Sequence, residues 1–276
     1  MGSLRKEIPP TADSYPYVTG MGFRNRSHLI YDEFHKDTPD SITSDGQVAF
    51  IKTDYVSDFF NRIMPSMKYK INIITHNSAK GIDLDYQKYL DNPKVISWHS
   101  QNANFPHPKL KSIPLGLANK RWSHGDTEIV DGVIAEETNK EHLLYMNFDP
   151  NTNVTKRGEV SRIFAEKDYV FRAKRKTFQN YLRDLKSSKY SLSPEGRGVD
   201  CLRIWESILV GCVPIVKRCH NISFYEDMPI LIVDDWRHVT KDFLEREYGK
   251  FAVGERAEQL YMDYWIDKVG IKGEEW

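Results

Sequence analysis

The residues with the clearest chemical potential stand together in SPEGRGVDCLRIWE, at positions 193–206. The glycines of the loop at 195–198 permit a close approach of the backbone. The helix predicted behind the loop offers free N–H groups and the positive end of its dipole. Such a loop is typical of a phosphate site. A plain turn between a strand and a helix is the alternative, and for a lone GxG motif it is the simpler interpretation.

The predicted helix adds charged residues along one of its sides. At about 100° per residue, Asp200, Arg203 and Glu206 share one side, and apolar residues occupy most of the other. An arginine can bind a diphosphate through two hydrogen bonds, and a carboxylate one turn later can accept hydrogen bonds from the vicinal hydroxyls of a ribose. The alternative is an ordinary ion pair between Arg203 and Glu206 on a solvated face.

These residues need a scaffold, and the chain alternates short apolar runs with helical patterns. We predict strands at residues 48–52, 71–75, 95–98, 111–117, 143–148, 169–171, 190–192, 213–216 and 230–233. We predict helices at residues 56–67, 86–90, 157–166, 178–185, 201–209, 239–248 and 257–269. This alternation predicts an α/β fold with parallel sheets.

Two stretches fall outside the alternation. Residues 1–46 are predicted as an extended lead-in, and residues 118–140 as a polar insertion or linker. The two α/β halves meet near Lys140, and two open parallel sheets that face each other make a cleft for ligands at the carboxyl ends of their strands. The last helix suits a segment that folds back across that cleft.

The charge balance limits the expected partners. Lys and Arg together number 39, as do Asp and Glu, so the net charge is zero and a nucleic-acid binder or a membrane-surface protein is not expected. The basic run at residues 172–176 lacks interleaved aromatic residues and is interpreted as a solvated turn. No apolar run approaches the length of a membrane span, so none is predicted.

The three cysteines lie between residues 201 and 219, and their odd number and spacing fit neither a disulfide framework nor a zinc site. They favour a reducing compartment. The N-terminus lacks the apolar core of a signal peptide. The sequence therefore predicts a cytoplasmic protein, and it gives no prediction for the oligomeric state.

The strings KYSLSPEGRGVDCLRIWESILVGCVPIV and PILIVDDW resemble the donor-binding half of exostosin-like glycosyltransferases, especially the compact versions encoded by large algal DNA viruses. The strings VAFIKTDYVSDFF, INIITHNS, VISWHSQN and KLKSIPLGLANKRWSHGD are similar to the acceptor-side domain of that group. The resemblance spans residues 47–245. It implies a GT-B fold with two Rossmann-like domains facing across a cleft, a UDP-sugar donor, a glycan acceptor and inversion at the anomeric carbon. A viral protein of this kind would work in the host cytoplasm.

The resemblance also divides the chain. Residues 1–139 would form the acceptor-side domain with its lead-in, residues 140–250 the donor domain, and residues 251–276 a C-terminal helix that crosses back to the first domain. UDP-xylose is the leading guess for the donor, on this resemblance alone. No cofactor or metal is expected beside the UDP-sugar as co-substrate.

On the same resemblance, the residues assigned to the donor are Arg157, Phe171, Arg172, Glu195, Gly196, Arg197, Gly198, Asp200, Arg203 and Glu206. The loop would contact the diphosphate and the donor sugar, Arg203 a phosphate, and Glu206 the ribose. Arg157 would reach the diphosphate from its other side, unless it is a solvated cation at a helix start. Phe171 and Arg172 end a strand at the level expected for the base.

A base on the acceptor side must take the proton of the acceptor hydroxyl, while cationic and dipolar groups hold the charge on the leaving diphosphate. Asp54, at the end of the first strand, is our first candidate, although an Asp there is an equally natural helix N-cap. His76, at the end of the next strand, is the second candidate. His124 and Asp126 of the string WSHGD are the third.

Other interpretations stay open. The triplet Asp83-Leu84-Asp85 matches the DxD pattern that binds a divalent ion in other glycosyltransferases, but acidic residues before a helical run also stabilise a helix start. A non-catalytic nucleotide-sugar or carbohydrate-binding module on the same fold is the rival from another class of protein. A transferase that retains configuration is the rival among enzymes.

Overall fold

The computed structural model describes residues 9–251 and 257–271, and these form two five-stranded sheets with helices packed against them. The N-terminal sheet contains β1 (Leu29–Tyr31), β2 (Val48–Lys52), β3 (Ile71–His76), β4 (Val95–Ser100) and β5 (Leu110–Ser112). Its strands are all parallel, and their order in space follows their order in the chain. The central strands β2 and β3 are almost continuously buried, as is typical of parallel strands that are covered on both faces.

The C-terminal sheet contains β6 (His142–Met146), β7 (Val170–Arg172), β8 (Ser188–Leu192), β9 (Val213–Lys217) and β10 (Leu231–Val233). All of its pairings are parallel, but the order in space is β10-β9-β8-β6-β7. The chain therefore changes direction across the sheet between β6 and β8. Open α/β sheets bind ligands at such a switch point, beyond the carboxyl ends of the two strands.

The helices connect and cover these strands. They are α1 (Gly20–Asn25), α2 (Val56–Arg62), α3 (Gln87–Leu90), α4 (Thr127–Ala135), α5 (Val154–Ile163), α6 (Phe178–Lys186), α7 (Leu202–Leu209), α8 (Lys241–Glu247) and α9 (Met262–Lys268). None of the helices in the described ranges has the length and hydropathy needed to cross a membrane. The predicted alternation of strands and helices is confirmed in both halves.

The prediction of an extended lead-in was wrong for residues 20–31. Thr19 caps α1 by accepting a 3.0 Å hydrogen bond from the Gly22 N–H, and β1 adds a parallel edge strand beside β2. Both elements are too short to show a clear hydrophobic period, which is why pattern analysis passes over them.

The prediction of a polar linker at residues 118–140 was also wrong. Asp126 caps α4 by accepting a 3.0 Å hydrogen bond from the Glu128 N–H. The buried side chains of α4 belong to a core cluster with Leu182 and Leu185 of α6. This helix therefore packs on the C-terminal half, although it precedes the first strand of that sheet.

Two predicted elements end five residues early. The helix predicted at residues 56–67 stops at Arg62, and Pro65 lies in the following 3₁₀ turn. The strand predicted at residues 111–117 stops at Ser112, shortly before Pro114, which has no N–H to donate. Gly116 then takes a φ of 67°, where a Cβ would lie 2.0 Å from the Val18 carbonyl oxygen, so only glycine fits.

One hydrophobic core joins the two halves. Phe50 and Ile74 of the N-terminal sheet share a buried cluster with Ile204 and Trp205 of α7. Met262 of the C-terminal segment belongs to the same cluster. Its N–H donates a 2.9 Å hydrogen bond to the Pro16 carbonyl. Residues 252–256 and 272–276 of the predicted C-terminal segment lie outside the described residues, as do residues 1–8 of the lead-in.

The two sheets flank a cavity of about 830 Å³. The predicted fold class, an α/β protein of the GT-B type with two Rossmann-like domains facing across a cleft, is therefore confirmed. The break between the sheets lies between β5 and β6, and the domain boundaries at residues 139/140 and 250/251 stay predictions.

Candidate active site

A cavity of about 830 Å³ lies between the halves, in the size range of small-molecule sites. The predicted site residues that line it are His76, Arg157, Gly196, Arg197, Gly198, Asp200, Arg203 and Glu206. His124, which with Asp126 is the third candidate for the base, lines it as well. Asp54, Phe171, Arg172 and Glu195 lie outside the lining. The structure thus brings together most of the predicted donor residues at the switch point between β6 and β8.

Two arginines converge on the wall of this cavity. The guanidinium carbons of Arg157 and Arg203 lie 5.6 Å and 5.9 Å from the centre of the Phe148 ring. The Arg157 Nε donates a 3.2 Å hydrogen bond to the Glu195 carbonyl, and an Arg203 terminal nitrogen donates to the Asn147 carbonyl. Neither guanidinium forms an ion pair with a carboxylate of the described residues. The pair therefore concentrates positive charge that an anion can neutralise.

The electrostatics of the pair support this interpretation. Burial, followed by the positive charge of Arg203, lowers the pKa of Arg157 from its ordinary value. The Arg203 Nε is buried without a hydrogen-bond partner within the described ranges. A buried donor without a partner costs stability, and an anionic ligand in the cavity would supply the missing acceptor.

Gly196 permits the close approach of the loop to Arg157. A Cβ at position 196 would lie 2.7 Å from an Arg157 terminal nitrogen. The Asn153 side-chain amide also donates a 2.9 Å hydrogen bond to the Gly196 carbonyl, which ties the loop to the start of α5. The glycine that the sequence marked for close backbone approach is thus packed against a side chain of the protein itself.

Glu206 lies in the cavity wall and is paired with a tyrosine. Its carboxylate accepts a 2.8 Å hydrogen bond from the Tyr181 hydroxyl, and both residues line the cavity. Burial raises the pKa of Glu206 to about 7, against the opposing effects of the Tyr181 hydrogen bond and the Arg203 charge. When ionised, a carboxylate in this position can accept hydrogen bonds from ligand hydroxyls.

Asp200 contacts the protein on both of its oxygens. It accepts 2.8 Å hydrogen bonds from the Leu115 N–H and from the Trp205 indole N–H, and burial raises its pKa to about 7. Its own N–H donates a 2.8 Å hydrogen bond to the Asn102 side chain. The residue predicted to touch the donor therefore joins the start of α7 to the N-terminal half. Its direct role in donor binding stays a prediction.

The remaining loop residues differ in position. Glu195 pairs with Lys156 at 3.1 Å and does not line the cavity. Arg197 is exposed at the cavity and pairs with no carboxylate among residues 9–251 and 257–271. A Cβ at Gly198 would lie 2.6 Å from the Asn102 amide nitrogen, so the N-terminal half packs directly on the loop.

Phe171 and Arg172, which were predicted to lie near the nucleotide base of the donor, do not line the cavity. Phe171 stacks on His142 with the ring centres 4.0 Å apart, and Arg172 donates hydrogen bonds to the carbonyls of Phe164 and Lys167. Their assignment to the nucleotide base of the donor stays a prediction. The cavity is instead lined on this side by Arg175, Lys176, Phe178 and Tyr181.

The first base candidate, Asp54, is exposed and engaged elsewhere. It pairs with Lys80 at 3.2 Å. Burial raises its pKa, but hydrogen bonds from Ser78 and Lys80 and the nearby lysine charges outweigh this, and the net pKa is lowered. Asp54 lies inside a 3₁₀ turn and makes no cap of α2. The geometry gives it no contact with the cavity, and its catalytic role stays a prediction.

His76 lines the cavity, but both of its ring nitrogens are occupied. Nδ1 accepts a 2.7 Å hydrogen bond from the Asn77 N–H, and Nε2 lies 3.2 Å from the Pro114 carbonyl. These partners fit a neutral ring with the proton on Nε2. Burial lowers the pKa of His76 to about 4, so the ring stays neutral at physiological pH. It has no free nitrogen to accept a substrate proton.

His124 has the free nitrogens that His76 lacks. It lines the cavity, and neither ring nitrogen has a partner in the part of the chain that the structure describes. Its ring stands 6.3 Å from Trp122 and 6.3 Å from Phe178, centre to centre. Burial lowers its pKa, which favours the neutral form that accepts a proton. The neighbouring Asp126 is used as the cap of α4.

The DxD triplet takes part in local structure. Asp83 accepts a 3.1 Å hydrogen bond from the Asp85 N–H and begins a 3₁₀ turn, as its position before a helical run suggested. Within the described ranges, no group of three or more His, Cys, Asp or Glu side chains is arranged to hold a metal ion.

Sequence analysis missed several cavity residues. Tyr181 and Phe178 lie on α6 one turn apart, and the aromatic pair was interpreted only as part of a helical pattern. Asn147 contributes its backbone carbonyl, which no sequence motif reports. Arg121 and Trp122 stand in the segment that was predicted as a linker.

Comparison with known proteins adds a family to this geometry. Residues 133–261 match the family model described as RXYLT1 C-terminal domain, a xylosyltransferase family. The match covers less than half of the chain, from within α4 to the approach to α9, and it includes the arginine pair and the glycine loop. It supports a glycosyltransferase.

Among solved structures, the chain is similar to one titled "Crystal structure of GtfA/B complex", with 13% sequence identity and a TM-score of 0.37. That similarity covers 83% of this chain and 54% of the other, so the chain spans about half of that structure's length. No curated protein matches the sequence. None of these comparisons supports the expected viral origin.

Proposed function

We propose that this protein is an inverting, metal-independent glycosyltransferase that moves a sugar from a UDP-sugar to a hydroxyl group of a glycan. UDP-xylose is the leading candidate for the donor, because the matched family is one of xylosyltransferases. The observation that carries the proposal is the pair Arg157 and Arg203, two converging guanidiniums without a carboxylate partner in the described residues.

The donor is held by groups from three elements. The guanidiniums of Arg157 and Arg203 bind the diphosphate, since planar donors match phosphate oxygens in pairs. Glu206 accepts hydrogen bonds from the ribose hydroxyls, and the Tyr181 hydroxyl fixes the orientation of its carboxylate. Gly196 and Gly198 let the loop pack closely on Arg157 and Asn102, which holds it at the wall of the cavity that would contain the donor. The aromatic residues Phe178 and Tyr181 bound the same space.

The transfer step needs a proton acceptor, and we assign this role to His124 because it lines the cavity and its ring nitrogens have no partner among the described residues. In the proposed reaction the neutral imidazole takes the proton of the acceptor hydroxyl, and the oxygen of that hydroxyl attacks the anomeric carbon of the donor sugar. The bond between that carbon and the diphosphate oxygen breaks, and its electron pair leaves with UDP. Arg157 and Arg203 stabilise the negative charge that develops on the leaving group. Attack opposite to the leaving group inverts the configuration.

The test is incubation of the protein with UDP-sugars and candidate glycan acceptors, with products followed by proton NMR. A product whose anomeric coupling shows the opposite configuration to the donor supports the proposal. A product of the same configuration would replace it with a retaining transferase. Tight binding of UDP-sugars without turnover would favour the non-catalytic module, which the engaged nitrogens of His76 and the ion-paired Asp54 would suit.

A further inference from the structure

The mouth of the cavity carries an exposed aromatic surface made of Phe34, Arg121 and Trp122, which we call the rim platform. The Phe34 side chain is 40% exposed and the Trp122 side chain is 51% exposed. The Arg121 guanidinium carbon lies 5.7 Å from the centre of the Phe34 ring and 5.0 Å from that of Trp122. One cation thus bridges two large rings that both remain open to solvent.

Such an arrangement differs from the scattered apolar residues of ordinary surfaces. Single exposed hydrophobic residues need no explanation, whereas grouped ones mark binding surfaces. Leu84 and Ile96 are comparably exposed, at 65% and 43%, but neither lines the cavity. Arg121 and Trp122 do line it, as does Glu33 next to Phe34 in the chain, so the platform borders the cavity.

The platform also has polar groups at its edge. Arg121 forms no ion pair with any carboxylate that the structure describes, so its donors are available. Glu33, which precedes Phe34 in the chain, lines the same cavity and pairs with Lys52 at 2.8 Å. The platform therefore combines apolar ring faces with a hydrogen-bond donor and an acceptor of opposite charge.

This combination matches the chemistry of a pyranose ring. One face of a pyranose presents C–H groups that pack on an aromatic ring, and its equatorial hydroxyls exchange hydrogen bonds with charged side chains at the edge. Glu33 is already paired with Lys52, and the Arg121 guanidinium is left to donate hydrogen bonds to the hydroxyls of the sugar.

The position of the platform relates it to the transfer step. Trp122 is two residues before His124, and their rings stand 6.3 Å apart at an interplanar angle of 20°. A sugar on the platform would therefore lie beside the group that we assign as the base. We propose that the rim platform binds a pyranose residue of the acceptor glycan and presents its hydroxyl to His124. This inference rests on the proposed function.

The test uses methyl β-D-glucopyranoside and methyl β-D-galactopyranoside as probes, with binding measured by saturation-transfer NMR on the whole chain. We expect the ring protons of at least one probe to receive saturation from the wild type. W122A and F34A should weaken that binding roughly tenfold, and W122F should restore part of it. L84A, which removes an equally exposed side chain away from the cavity, should bind as the wild type does.

Three outcomes would contradict the proposed role of the rim platform. In the first, the wild type binds neither pyranoside; in the second, W122A binds a pyranoside as tightly as the wild type does. In the third, the wild type binds phenol but neither sugar. UDP binding, measured in parallel by calorimetry, separates this inference from the proposed function. If W122A binds UDP normally and loses the pyranoside, both stand. If UDP binds but no pyranoside does, the platform alone fails, and if UDP binds to no form of the protein, the proposed function fails.

Discussion

Replacement of Arg203 by alanine should weaken UDP binding while it leaves the Tm of the free protein nearly unchanged. In the free protein this guanidinium donates to the Asn147 carbonyl, packs beside Phe148 and leaves its Nε without a partner in the described ranges. It forms no ion pair with a described carboxylate, so its removal breaks no ion pair. We therefore expect R203A to fold with a Tm close to that of the wild type, because the protein loses one hydrogen bond and one unsatisfied buried donor together.

The loss should appear in donor binding. A hydrogen bond to a charged group contributes about 1.5–3 kcal/mol, so R203A should raise the Kd for UDP roughly 10- to 100-fold. At a UDP concentration about 100 times the wild-type Kd, binding stabilises the wild type by about 2.7 kcal/mol, and a variant with a 100-fold higher Kd by only about 0.4 kcal/mol. For a chain of this size, the UDP-induced rise in Tm should fall from roughly 5–10 °C to roughly 1 °C.

Calorimetry gives the Kd and thermal unfolding gives both Tm values. R162A is the matched control, because it removes the same charge from an exposed position on α5. R203K should fall between the wild type and R203A, since it keeps the charge and loses the paired geometry. If R203A binds UDP as tightly as R162A does, or if its free form loses many degrees of Tm, the guanidinium is a structural group and the donor site is misassigned.

Three further substitutions test the other parts of the site. Burial raises the pKa of Glu206 to about 7, so the affinity for UDP-xylose should fall as the pH drops from 8 to 6 and Glu206 gains a proton. E206Q should bind UDP-xylose weakly at both pH values. A wild-type affinity that does not depend on pH would contradict the assignment of Glu206 to the ribose. H124A should lower kcat roughly 10²- to 10⁴-fold with little change in donor Kd, and added imidazole should restore part of the rate; unchanged kcat would exclude His124 as the base. G196A would place a Cβ 2.7 Å from Arg157 and should weaken UDP binding, whereas G158A, whose Cβ would meet nothing within 4 Å, should not; equal binding by both variants would refute the role of the close approach.

The sequence predicted the fold from its strongest periodic segments. The apolar runs of β2, β3 and β9 and the amphipathic pattern of α7 needed no tertiary information. The strand β1 is held by its pairing with β2, and α4 by its packing on α6. Such elements depend on contacts with distant parts of the chain, which a local pattern does not show.

The site divides in the same way. Arg203 and Glu206 share a helix, so their spacing placed both side chains in the cavity. The role of Asp200 depends on Leu115, which is 85 residues away, and no local pattern could reveal that hydrogen bond. The order of the base candidates, with Asp54 first, His76 second and the pair His124 and Asp126 third, rested on local patterns alone. Strand ends favoured Asp54 and His76, whereas the free nitrogens of His124 follow from the packing of a segment that was predicted as a linker.

The central claim is that the cavity catalyses sugar transfer from a nucleotide sugar. The most direct measurement is the release of UDP over time when the protein is incubated with UDP-xylose, UDP-glucose or UDP-galactose, with water or the methyl pyranosides as acceptor. We expect UDP to accumulate from at least one donor with the wild type and R162A, and much more slowly with R203A and H124A. UDP-sugars that bind to the wild type and are recovered unchanged with every acceptor would contradict it.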